Sequence, residues 1–161
     1  MLRTFLVLTL LAAGCGAGNA DRPDEGGLAD KTLPVNEYVA RADDICREAA
    51  TSALKLQTET KDADSAAEIA DALDKELQII RQMRAELEAL GVPKGEADVA
   101  KELVAGIREA EPHLERVIAA MRDGDEEAAK EAGQRYREAS MASARQVQRS
   151  GLGFEVCGSG A

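Results

Sequence analysis

The chain has 161 residues and a formal net charge of -10. Hydrophobic residues make up 45% of the chain, and aromatic residues only 2%. So acidic a surface repels phosphate backbones and excludes nucleic acid as an expected partner. The scarcity of aromatic faces argues against carbohydrate or nucleobase sites. The length suits one domain with a real core, and a composition rich in Ala, Glu, Leu and Arg favours an all-α fold.

The first fourteen residues have the composition of an export signal. Arg3 is followed by an apolar run over residues 5–13, which is too short for a membrane-spanning helix of roughly 20 residues. The small residues that end at Cys15, "AAGC", resemble the lipobox of bacterial lipoproteins, although Ala12 stands where that pattern prefers Leu. The resemblance implies a signal peptide over 1–14 and lipidation of Cys15. The alternative is an ordinary secretion signal cut near Ala20, which would discard Cys15.

Residues 15–33 carry little that a core could bury, since Gly, Asp and Arg dominate the segment. Such a composition does not offset its own ordering entropy. We therefore predict a disordered tether over 15–33, which would let the folded part, residues 34–161, stand off a membrane.

Apolar spacing predicts two helices in the first half of the folded part. The first begins at Pro34, with Asn36 or Thr32 as its cap, and its stripe steps by three and four. The second opens with Ser65 and Glu68, the spacing of a capping box. It ends at Gly91, which a proline follows after one residue.

Two further helices follow the same rules. The third spans about 96–122 and contains Pro112, so we expect a kink near Arg108 or a break there. The fourth begins after Asp123 or Asp125, either of which could cap it. Four helices of similar length with short loops predict an up-down-up-down four-helix bundle.

Three cysteines are present, at positions 15, 46 and 157. With Cys15 lipidated, Cys46 and Cys157 form an even pair in an exported chain, which predicts one disulfide rather than two free thiols. The bridge would close a loop of about 111 residues. To reach Cys46, the stretch "SGLGFEVC" must turn back along the bundle, with Leu152, Phe154 or Val156 covering the groove near Tyr38.

Three stretches, "YVARADDIC", "GDEEAA" and "GLGFEVCG", are similar to motifs of small exported proteins and lipoproteins of high-GC Gram-positive bacteria. That group shares a Tyr-x3-Ala-x2-Ile-Cys opening and a Gly-Leu-x2-Cys-Gly-like closing, which is two residues longer here. The resemblance covers most of residues 34–158. It implies a helical bundle and an extracytoplasmic location, and no activity.

Candidate chemistry is sparse. His113 is the single histidine, and Glu109 lies one turn before it, but no Glu-x-x-His motif is present because residue 110 is alanine. We interpret His113 as a histidine at the proline kink, with no metal or cofactor. The carboxylate pairs Asp43 with Asp44, Glu86 with Glu88, and Glu126 with Glu127 are interpreted as solvated helix faces rather than as acid–base pairs.

The sequence thus predicts a non-enzymatic protein held to the outer face of the cell membrane by a lipid on Cys15. Its expected role is binding or interaction with a protein partner of the envelope. The alternative is a sensor lipoprotein that holds a small ligand or a cation between its helices. A cavity between the third and fourth helices near Pro112 would favour the alternative.

Overall fold

The computed structural model describes residues 28–158, which form an all-α bundle. The four helices are α1 (Val35–Glu59), α2 (Ala66–Leu90), α3 (Ala97–Asp123) and α4 (Glu126–Arg149). Each helix packs against the next one in the chain, α1 on α2, α2 on α3 and α3 on α4. The predicted bundle is confirmed, with helix ends close to those expected.

The core consists of the predicted apolar stripes. Their largest members are almost inaccessible to solvent, namely Tyr38, Leu87, Leu103, Ile107 and Leu114. Because aromatic residues are few, alanines fill much of the space between helices, and Ala42, Ala70 and Ala100 are fully buried. Small side chains let the helix backbones approach closely, which compensates for the small volume of each residue.

Two of the predicted helix starts are confirmed in atomic detail. The Ser65 hydroxyl accepts the N–H of Glu68, and the Glu68 carboxylate accepts the N–H of Ser65, which completes the capping box of α2. The Asp125 carboxylate accepts the N–H of Ala128 at 3.0 Å and caps α4. Each cap satisfies backbone donors that the first helical turn leaves without a partner.

The start of α1 differs from the prediction. Pro34 occupies the N-cap position, and no side chain caps this helix. Thr32 is unavailable because it belongs to a short strand, and Asn36 already lies inside the helix. The Pro34 carbonyl accepts the N–H of Tyr38 at 2.9 Å and closes the first turn.

Pro112 lies inside α3, which is continuous from Ala97 to Asp123. Of the two expected alternatives, a kink near Arg108 or a break, the break does not occur. The neighbouring residues explain why the helix persists, since Ala110 and Leu114 are both buried in the core on either side of the proline. Tertiary packing of this apolar stripe outweighs the lost backbone hydrogen bond.

Two short strands, β1 (Thr32–Leu33) and β2 (Val92–Pro93), form a pair that we call the clip. The clip joins the beginning of the described chain to the α2–α3 loop. The strands pair in parallel, and the Lys31 carbonyl accepts the N–H of Val92 at 2.8 Å. The clip extends to Ala29, whose N–H donates to the carbonyl of Glu88 at 2.9 Å. Residues 28–33, predicted as the end of the tether, therefore pack against the bundle, whereas residues 15–27 lie outside the described part.

Gly91 is the residue that allows this clip to form. Its φ is +91°, and a Cβ at this position would lie 2.2 Å from the carbonyl oxygen of Lys31. Gly95 also has a positive φ, of +83°, but a Cβ there would meet nothing within 4 Å. Both glycines therefore have a positive φ that disfavours other residues, but only Gly91 also lacks space for a side chain.

We expect Gly91→Ala to destabilise the protein more than Gly95→Ala in urea unfolding. Gly95→Ala has only the backbone cost of a positive φ, about 1–2 kcal/mol. Gly91→Ala also separates Lys31 from Val92 and forfeits their hydrogen bond, which adds about 1 kcal/mol or more. Amide exchange of Val92 should accelerate in Gly91→Ala alone. Equal losses in the two variants would contradict the role assigned to the clip.

Candidate functional site

The C-terminal segment, defined as residues 150–158, fills the space between α4 and α1. Cys157 forms a disulfide with Cys46 on α1, and their Cα atoms lie 5.5 Å apart. The Phe154 ring meets the Tyr38 ring edge-on, with centroids 6.4 Å apart. At the far end of the segment, the carbonyl of Gly158 accepts a hydrogen bond from Gln148 of α4 at 2.7 Å. The predicted disulfide and the predicted return of the chain past Tyr38 are both confirmed.

The side chain of Asp43 holds the C-terminal segment by hydrogen bonds to the backbone of that segment. The Asp43 carboxylate accepts the N–H groups of Glu155, Val156 and Cys157, at 2.8, 3.0 and 2.8 Å. Asp43 is 5% exposed, so these three bonds replace the water that an ionised carboxylate would otherwise require. The interpretation of Asp43 as part of a solvated face is wrong, while its neighbour Asp44 is exposed and pairs with Arg47.

A second group of buried polar side chains lies inside the bundle, on α2 and α4. Glu76 is 5% exposed, and Ser140 and Ser143 are almost wholly enclosed. One carboxylate oxygen of Glu76 and the hydroxyl of Ser143 have no hydrogen-bond partner, whereas Ser140 interacts with the Tyr136 hydroxyl. Such groups are costly to bury, and they mark positions where a core accepts a proton, water or a polar ligand.

Burial governs the ionisation of this cluster. It raises the pKa of Glu76 from its ordinary value of 4.5 to about 7. Burial also raises the pKa of Tyr136 on α4, and the negative charge of Glu76 raises it further. The two groups therefore lie close enough to interact across the core. The Glu76 carboxyl is consequently the one titrating group of this cluster near neutral pH.

A network of ion pairs joins α2 to α3 along their outer seam. Glu111 is buried and accepts a hydrogen bond from Nε of Arg84 at 2.6 Å. Arg84 also pairs with Glu88 at 2.7 Å, and Arg108 of α3 reaches the same Glu88 oxygen at 3.1 Å. Glu88, predicted to be solvated, is thus half-buried within this network. At its edge, Arg81 bonds to the exposed Glu115.

We expect Glu111→Gln to cost about 2 kcal/mol in the free energy of unfolding, because it removes one of the two carboxylates that pair with the partly buried Arg84 and leaves it only Glu88. Glu115→Gln is the matched control, since its pair is exposed and is worth less than about 1 kcal/mol. Urea unfolding of both variants measures the difference. If Glu115→Gln lowers the free energy of unfolding as much as Glu111→Gln does, the burial of Glu111 does not increase the contribution of its ion pair.

Next to this network lies a shallow groove of about 210 Å³ between α2 and α3. Its floor is apolar and its rim is charged. The lining residues are Asp74, Leu77, Arg81, Glu115, Ile118, Ala119 and Arg122. A smaller groove of about 50 Å³ lies between α1 and α2. Neither groove is at the α3–α4 seam, where a cavity would have favoured the ligand-binding alternative.

His113 lies half-buried on α3. Its Nδ1 atom is 3.4 Å from Nη1 of Arg116. Partial burial lowers its pKa, and the positive charges of Arg116 and Arg135 lower it further, against the opposing effect of Glu109. Within residues 28–158, no group of three His, Cys, Asp or Glu side chains is arranged to hold a metal ion.

The predicted site residues thus fall into two sets. Cys46 and Cys157 are joined, whereas Cys15 lies outside the described residues together with the predicted signal peptide. None of the helices between residues 28 and 158 is long and apolar enough to cross a membrane.

The roles of Asp43 and Glu76 were not predicted from the sequence. A signal existed for Asp43, because it stands three residues before Cys46 and so shares a helix face with a predicted disulfide. Glu76 directly precedes Leu77 of the apolar stripe, and Tyr136 belongs to the stripe of the fourth helix. Only the packing of α4 shows that Glu76 faces inward.

Comparisons of this chain with protein-family models, with curated proteins and with solved structures found no match.

Proposed function

We propose that this chain is a lipid-anchored extracytoplasmic helical-bundle protein with a non-enzymatic role in binding or envelope interaction. The observation that carries the proposal is the disulfide between Cys46 and Cys157. Structural disulfides persist in oxidising compartments outside the cytoplasm, which fits the export signal predicted over residues 1–14. With those two cysteines used for the bridge, Cys15 is left for the lipid that the lipobox resemblance implies.

The arrangement of the chain determines which end of the bundle the proposed lipid would hold. The described part begins at Leu28 beside the clip, at the end of the bundle where α1 starts. A lipid on Cys15 would therefore hold this end toward the membrane, with the α1–α2 turn pointing away. Two acyl chains make such attachment stable, since each buried methylene contributes about 0.8 kcal/mol.

The test is the partition and the intact mass of the protein made in a Gram-positive host. Wild-type protein should enter the detergent phase and carry the added mass of a diacylglyceryl group on Cys15. Cys15→Ser should remain in the aqueous phase with no added mass. The control is Cys46→Ser with Cys157→Ser, which removes the bridge and should still partition with detergent. Wild-type protein that stays aqueous with an unmodified Cys15 would contradict the proposal.

The proposed partner is a protein of the envelope, and the groove between α2 and α3 is the surface on which to look for it. A photoreactive amino acid at Ala119, in the groove, should cross-link a partner in intact cells. The same amino acid at Ala50, exposed on α1, is the control. Equal cross-linking from the two positions would exclude the groove as the contact surface.

A second candidate function is the binding of a small ligand or a cation inside the bundle. The unpartnered oxygens of Glu76 and Ser143 favour it, because oxygen donors suit hard cations and polar ligands. Its test is the native mass of protein taken from its own membranes, followed by the denatured mass. A mass that leaves on denaturation, and is absent in Glu76→Gln, would support this function. The melting temperature in calcium or potassium chloride, against tetramethylammonium chloride at equal ionic strength, separates a cation from an organic ligand.

A further inference from the structure

Two independent attachments hold the C-terminal segment on α1. One is the covalent bond from Cys157 to Cys46, and the other is the set of three backbone bonds to Asp43. The second attachment uses no sulfur atom. It depends only on the carboxylate and on the backbone N–H groups of residues 155–157, so it is available to the protein before the disulfide exists.

The geometry of the second attachment brings the two cysteines together. Asp43 and Cys46 lie three residues apart on α1, and therefore on one face of the helix. The N–H of Cys157 donates to Asp43, and its Sγ lies 3.1 Å from the carbonyl oxygen of Ala42. A segment docked through these bonds alone holds residue 157 beside the Cys46 side chain.

The strength of the attachment follows from its charge and burial. Three successive N–H groups that converge on one anion form a concave anion site of the kind that backbone amides make for phosphates. Here the anion is a carboxylate of the same chain, with Asp43 only 5% exposed. Hydrogen bonds to an ionised group in such surroundings are about twice as strong as neutral ones.

We propose that Asp43 is a positioning residue for oxidation of this protein: its carboxylate docks the C-terminal segment on α1 while both cysteines are still thiols. Oxidation by a small disulfide such as oxidised glutathione then proceeds in two exchanges. The thiolate of one cysteine attacks glutathione disulfide and releases one glutathione thiolate, leaving a mixed disulfide. The second cysteine attacks that mixed disulfide and releases the second glutathione. Two protein thiols are oxidised, and one glutathione disulfide is reduced to two thiols.

The first experiment measures docking without the disulfide. In the chain from residue 15 onward, with Cys15→Ser and Cys46→Ser, Cys157 is the one thiol. We expect iodoacetamide to alkylate Cys157 at least about tenfold more slowly in the folded chain than in the same chain in urea. A tenfold difference corresponds to about 1.4 kcal/mol, which hydrogen bonds to a charged group can supply. Adding Asp43→Asn should abolish most of this protection. Adding Asp44→Asn, at the exposed neighbour, should leave it intact.

The second experiment keeps both cysteines and remains informative if the Cys46→Ser chain is poorly folded. The chain from residue 15 with Cys15→Ser is equilibrated in mixtures of reduced and oxidised glutathione. We expect Asp43→Asn to lower the equilibrium constant for disulfide formation by about tenfold or more. It should also slow the second exchange, seen as accumulation of the mixed disulfide. Asp44→Asn should change neither quantity.

Two results would overturn the inference. One is a Cys157 that reacts in the folded Cys46→Ser chain as fast as in urea, because the disulfide alone would then hold the segment. The other is an Asp43→Asn protein whose glutathione equilibrium and mixed-disulfide population equal those of Asp44→Asn. Circular dichroism of each variant confirms that the helices are retained and that the comparison is between folded proteins.

Discussion

Reduction of the Cys46–Cys157 disulfide is expected to lower the free energy of unfolding by about 4 to 5 kcal/mol, the largest single effect we predict. The bond links residues 111 positions apart, and in the chain-entropy description a loop of that length removes much of the freedom of the unfolded chain. For a domain of this size, such a loss lowers the melting temperature by roughly 15–25 °C. Whole domains are stable by only about 5–15 kcal/mol, so the reduced protein would be marginal.

The measurement is thermal and urea unfolding with and without a phosphine reductant. The double variant Cys46→Ser with Cys157→Ser should match the reduced wild-type protein and be insensitive to the reductant. Cys15→Ser should match the oxidised protein. If the reduced and oxidised forms melt at the same temperature, the disulfide does not stabilise the fold.

The second large effect concerns pH and Glu76. The folded-state pKa of this carboxyl is raised by burial to about 7, whereas in the unfolded chain it has its ordinary value of 4.5. Below pH 4.5 both states bind the proton, and the group contributes no pH dependence. Between about pH 4.5 and 7 the unfolded state has lost the proton and the folded state keeps it. The free energy of unfolding therefore falls as the pH rises, by about 3 kcal/mol over this window, and levels off above it.

Glu76→Gln tests this assignment because it keeps the shape of the side chain and removes the titration. Its unfolding free energy should lack the decline between pH 4.5 and 7, and at pH 8 the variant should be more stable than the wild-type protein. Glu109→Gln, at an exposed position on α3, should keep the wild-type pH profile. A Glu76→Gln profile that runs parallel to the wild-type profile would assign the pH dependence to other groups.

The helices could be predicted because the signals that start, continue and end each of them lie within its own sequence. The Ser65–Glu68 box, the Asp125 cap and the glycine after Leu90 act within one turn of chain. The apolar spacing between them needs no knowledge of the neighbouring helices. The disulfide followed from counting cysteines in an exported chain. The return of the C-terminal segment past Tyr38 followed from the bridge, whereas the choice of Phe154 over Leu152 or Val156 for that contact did not.

What could not be predicted depends on contacts between distant segments. The β1–β2 clip has only two residues in each strand, too few for any alternating pattern to appear. Asp43 belongs to an acidic pair that has the pattern of a solvated helix face. Its burial depends on the C-terminal segment, which is more than a hundred residues away in the sequence. Glu76 was likewise outside the predicted core, since glutamate is almost never fully buried without a partner.

The clip at the start of the described chain has a mechanical consequence. Tension along the chain from residues before Leu28 reaches the bonds of Ala29, Lys31 and Leu33 before it reaches α1. These few hydrogen bonds would share the load between the α2–α3 loop and the start of α1, so the bundle receives the force at two places at once. A pull from that side would therefore be met first by the clip and by the last turn of α2, and α1 with its disulfide would carry the full load only after the clip parts.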